Sequence, residues 1–96
     1  MNEKVQLKHP KGKKPISMSR EKYNLLKPAV LKYLRTKRKA TFGGITKAIE
    51  KEFKTTGQIF QGSLPWYLEW VKLDLEARKV IKRVPKTTPQ EYIIVP

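Results

Sequence analysis

Three short runs of cations carry most of the chemistry this chain offers: Lys11, Lys13 and Lys14; Lys37, Arg38 and Lys39; and Lys82, Arg83 and Lys86. Ammonium and guanidinium groups at this density engage phosphates, and each contact adds to an affinity that falls with salt. The bland reading of each run is a solvated surface, and sequence does not say whether the three share a face. The setting favours an anionic partner. With 22 Lys and Arg against 8 Asp and Glu the net charge is +14, a field that attracts phosphate backbones or anionic headgroups. The charge sits at the ends: residues 1–39 carry +11 and 78–96 carry +4, whereas 63–77 carry −2.

A second set of residues offers apolar chemistry. At 100° per residue, Leu64, Leu68, Val71 and Leu75 share one side of a helix with Tyr67 at its edge, while Trp66, Trp70, Leu73 and Ala77 cluster on the other. A three-helix domain buries one face of each helix, so the tryptophan stripe needs a cover or stands as an exposed patch. The candidate covers are the N-terminal arm through Val5, Leu7, Ile16 and Met18, a second copy of the chain in a homodimer, or a ligand. Glu69, Glu76 and Asp74 line the margins of this helix, and unpartnered carboxylates oppose docking into a DNA groove.

Other chemistries find little support. The absence of cysteine excludes disulfides and thiolate metal sites, and with His9 as the only histidine no metal or cofactor is expected. On an alternating arm His9 reads as a structural group more readily than as a ligand or base. Ser17, Ser19 and Ser63 have no evident base and oxyanion partner, Gly43-Gly44 lacks phosphate-loop or dinucleotide spacing, and the carboxylates are scattered. Neither an enzyme nor a small-molecule substrate is expected. The longest uncharged run, residues 55–68, contains two glycines and a proline and so describes a loop, and the N-terminus lacks a signal-peptide core. No membrane association is expected, and the expected location is the cytoplasm.

These residues must be positioned by one domain, since 96 residues bury one modest core. Residues 1–18 predict an extended arm or hairpin turning at Pro10-Lys11-Gly12. Ser19 predicts the cap of a first helix over about 19–36, with Tyr23, Leu26, Val30, Tyr33 and Leu34 at helical spacing. Pro28 inside it removes the hydrogen bond to the Asn24 carbonyl, and a kinked continuous helix is preferred to a break. "TKRKAT" reads as a basic linker, Thr41 as the cap of a second helix over 42–54, and Ser63 as the cap of a third over 64–78. "VIKRV" (80–84) and "EYIIV" (91–95) read as strands of a terminal hairpin. Helix, helix, helix, hairpin is the chain order of a winged helix-turn-helix, an α+β fold that is mostly α, here spanning 19–96 behind the arm.

"LDLEARKVIKRVP...EYIIV" resembles the helix-into-wing segment of winged-helix domains, with Leu75 and Glu76 before the turn and Lys79 where glycine is usual. A left-handed lysine there costs about 1 kcal/mol. From Leu7 onward, "LKHP", "KY", "GSLPWYLEWVKLDLEARKVI" and "RVP" resemble a family of small, mainly bacterial proteins of unknown function with a winged-helix-like core. The resemblance implies the fold and a cytoplasmic setting, and it supplies no activity or catalytic residue.

The leading expectation is a nucleic-acid-binding protein that engages duplex DNA through phosphate contacts from arm, first linker and wing, with Lys11, Lys13, Lys14, Lys37, Arg38, Lys39, Lys82, Arg83 and Lys86 as the contacts. The alternative is a protein-interaction or homodimerisation module using Trp66, Trp70 and Leu73.

Overall fold

A computed structural model describes residues 3–14 and 16–96; Met1, Asn2 and Pro15, which fall in the expected arm, lie outside the described residues. The alternation of Val5 and Leu7 against Ile16 and Met18 resolves into a hairpin. Strand β1 (Lys4–Gln6) pairs antiparallel with β2 (Ser17–Ser19), with Val5 opposite Met18. The predicted turn closes where the Gly12 N–H donates to the His9 carbonyl at 3.0 Å, Gly12 having φ +69°, a conformation that favours glycine.

Helix α1 (Arg20–Lys37) begins where the Ser19 hydroxyl accepts from the Lys22 N–H, and runs unbroken through Pro28. Asn24 and Pro28 are both exposed, so the carbonyl that loses its donor faces water and the continuous helix survives. Arg38 then turns the chain with φ +70°, and the expected linker departs from expectation. Lys39–Thr41 forms a strand, β3. Its one apolar residue, Ala40, gave no alternation to read, and its partner lies fifty residues along the chain.

Helix α2 (Phe42–Thr56) is capped by Thr41 and closed by left-handed Gly57, and α3 (Leu64–Ala77) is capped by Ser63. Strands β4 (Ile81–Arg83) and β5 (Glu91–Ile94) follow, each shorter than expected. Between α3 and β4, Lys79 adopts φ +60°, so lysine takes the left-handed conformation at the turn where glycine is usual. The second sheet has the order β3-β5-β4, all antiparallel. The result is an α+β fold, mostly helical, of three helices and two small sheets.

The core lies where the three helices meet the second sheet: Leu26, Val30 and Leu34 from α1, Ile45 and Ile49 from α2, Leu68, Val71 and Leu75 from α3, with Ile81 and Tyr92 beneath. The arm belongs to it, since Leu7 is 0% exposed and Met18 is buried beside it. Among the described residues no helix is long and apolar enough to cross a membrane.

Candidate functional site

The carboxylates of α3 are bound to the protein's own donors. Asp74 is 0% exposed. Its Oδ1 accepts from the Lys8 backbone N–H at 2.8 Å and its Oδ2 from the Tyr23 hydroxyl at 2.6 Å, while Arg78 Nε reaches both oxygens at 2.9 and 3.0 Å. Burial, then the bond to Asp74, pushes the Tyr23 hydroxyl from 10.0 up to about 12, and Asp74 holds the Arg78 guanidinium above its ordinary value. Glu69 pairs with Lys72 at 2.9 Å. Lys72 is itself buried, donating to the Tyr92 hydroxyl and lying over the Phe42 and Tyr92 rings. Burial works against its charge, and Glu69 and Tyr92 outweigh burial, so the ammonium is held above its ordinary value.

Glu76, with its side chain 8% exposed, takes Arg83 at 2.7 Å, and that bond raises the Arg83 guanidinium above its usual range. The other Glu76 oxygen, Oε2, is buried with no hydrogen-bond partner among the described residues. Removing Arg83 would therefore leave a carboxylate buried without compensation.

The arm crosses the outer side of α3. Besides the Lys8 bond to Asp74, the His9 ring meets Trp70 edge-on, with centroids 6.4 Å apart, and its Nδ1 accepts from the Lys11 N–H at 3.1 Å. His9 thus packs the arm against α3 and braces its turn. The arm covers the tryptophan stripe unevenly. Trp70 and Leu73 are half-buried, whereas Trp66 is 50% exposed, edge-on to Tyr67 and Trp70.

Between the arm turn and β4 lies an open groove of about 580 Å³. His9, Pro10 and Lys11 form one wall, Leu73 and Glu76 line it from α3, and Lys79, Ile81, Lys82, Arg83 and Val95 complete it. Lys11 from the first cationic run and Lys82 and Arg83 from the third meet here. Lys79, which stands at the left-handed turn that the sequence marked, also lines the groove and was missed as a candidate.

The register relates a second pair. Lys39 and Lys82 both stand opposite Ile93, on β5's two sides, so their side chains leave the same face of the sheet. Ile81 and Arg83 take the other face, toward α3, which is how Arg83 reaches Glu76. The remaining candidates Lys13, Lys14, Lys37, Arg38 and Lys86 are all exposed and none lines the groove. Lys86 sits at φ +60° in the β4–β5 loop. Among the described residues no three His, Asp or Glu side chains are gathered to hold a metal ion.

Comparison with known proteins finds no match among curated proteins and none among solved structures. A family model does match, over residues 4–92, and it is that of a family of unknown function, DUF6958.

Proposed function

This chain therefore belongs to that family, which brings no activity with it, and on the chain's own geometry we propose a winged-helix nucleic-acid-binding protein that grips duplex DNA through its phosphates. The winged-helix reading is supported by β3 lying between α1 and α2 in the chain and beside β5 in the sheet, with β4 and β5 as the wing. The observation that carries the binding reading is the convergence of Lys11 from the arm, Lys79 from the α3–β4 turn and Lys82 from the wing around one groove. Lys39 shares the sheet face of Lys82 and extends that cationic surface toward the α1 end, near the exposed Lys37 and Arg38.

In this reading α3 does not enter the major groove. Lys8 and His9 lie across it, and its outer side offers Trp66, Trp70 and Leu73 rather than base-reading Arg, Asn or Gln. Contacts from flanking segments to the backbone position a protein without specifying sequence. Arg83 is held by Glu76, so the contribution of this region comes through Lys79 in the α3–β4 turn and Lys82 in the wing.

The test is a mobility shift on a mixed-sequence duplex with the native chain and with Lys11→Glu combined with Lys82→Glu, both exposed positions. Reversing two phosphate contacts should weaken binding by about tenfold or more at low salt and flatten the salt slope by about 2. Unchanged binding would remove the groove from the interface.

One observation favours a second reading, a protein-interaction module. Ile59 at 80% and Trp66 at 50% are the large apolar side chains most open to water among the described residues. Sedimentation of the native chain beside Trp66→Glu checks it: self-association abolished by the variant supports the module, and a monomer in both removes the homodimer.

A further inference from the structure

The wing's outer strand has an unused edge. Backbone bonds from the Val95 N–H to the Val80 carbonyl and from the Val84 N–H to the Glu91 carbonyl, both 2.9 Å, together with the register Lys82 opposite Ile93, turn residues 80, 82 and 84 inward to β5. Alternation then turns the N–H and C=O of Ile81 and Arg83 outward, and no strand lies beyond β4 in the sheet order β3-β5-β4. Three consecutive residues, Ile81, Lys82 and Arg83, line the groove. Side chains alternate between faces, so a cavity touching all three reaches the strand's edge.

We infer that this edge is a docking site for an extended acidic peptide from a partner protein, added antiparallel or parallel as a fourth strand between β4 and the arm turn. This goes beyond DNA binding and stands without it. Unpaired edges accept strands through main-chain bonds, with alternate side chains giving selectivity. Here Leu73, on the α3 side, offers apolar contact to one set of side chains, and Lys82, on the opposite face, offers a cation to the other, with Lys11 and Lys79 also lining the groove. A second copy of this chain is the wrong occupant. Pairing β4 with its own equivalent would set Lys82 and Arg83 of two molecules, each of charge +14, against one another, and edge cations are a known guard against such pairing. Charge complementarity selects a chain in which valine- or isoleucine-like residues alternate with Glu or Asp.

Amide hydrogen exchange on the native protein tests this without altering the fold. A short synthetic peptide of alternating valine and glutamate should slow exchange at Ile81 and Arg83 by about tenfold or more, leaving the already bonded Lys82 unchanged. The same peptide N-methylated at alternate residues, in the frame that blocks its donors to β4, should give no such protection, and neither should polyglutamate of equal charge. Equal protection by the N-methylated peptide or by polyglutamate would reduce the contact to charge and overturn the proposal. Protection by duplex DNA with none from the peptide would assign the edge to nucleic acid and overturn it as well.

Discussion

At the scale of single residues the molecule is organised around Asp74. A carboxylate excluded from water is tolerable only when its lone pairs are met, and here a backbone N–H, a phenol and a guanidinium meet them. Replacing Asp74 with Asn removes the charge that Arg78 and Tyr23 address and should cost about 3 kcal/mol in urea unfolding; a loss within a few tenths would mean the network adds nothing. Tyr23 makes the same contact sensitive to pH. Its hydroxyl is raised in the fold from 10.0 to about 12, so the neutral form favours the folded state. That contribution is complete below pH 10 and lost as pH climbs toward 12. The urea midpoint of the native chain should therefore fall across that window, and the fall should be smaller for Tyr23→Phe, with Lys72, also raised, supplying the remainder. None of this long-range network was legible in the sequence, where Asp74 read as an acid at the margin between two apolar faces of its helix. Its partners Tyr23 and Lys8 stand 51 and 66 positions away, and no local pattern reports a meeting at that distance.

At the scale of elements, what is local was legible. Ser19, Thr41 and Ser63 each cap a helix as their types and positions require, and Lys79 takes the left-handed turn where glycine would be usual. Strand β3 was not legible, because three residues with one buried alanine owe their conformation to β5 and not to themselves. The arm falls between these cases: its alternation was visible, but its depth of burial was not. Leu7 behaves as a core residue, so Leu7→Ala should cost about 3 kcal/mol and should also free Trp70 from His9, read as increased quenching of its fluorescence. A cost below about 0.5 kcal/mol, the scale of a surface substitution, would mean the arm rests loosely on the domain.

At the scale of the whole molecule, the charge was legible and its geometry was not. Composition announced a positive field, and segment counts put the charge at the ends of the chain. Only folding brings Lys11 to the groove that Lys79 and Lys82 line and sets Lys39 across the sheet from Lys82. The same folding removes the objection that α3 is acidic, because Glu69, Asp74 and Glu76 are each answered by a cation from within the chain. What faces outward is then predominantly positive, drawn from segments on either side of α3. Binding by such a surface is dominated by counterion release. The most direct measurement is the affinity of the native chain for duplexes of unrelated sequence as salt is raised. Four phosphate contacts, from Lys11, Lys39, Lys79 and Lys82, predict a log–log slope of about −3 to −4, the same for every duplex. No binding at low salt, or a slope near zero, would contradict it.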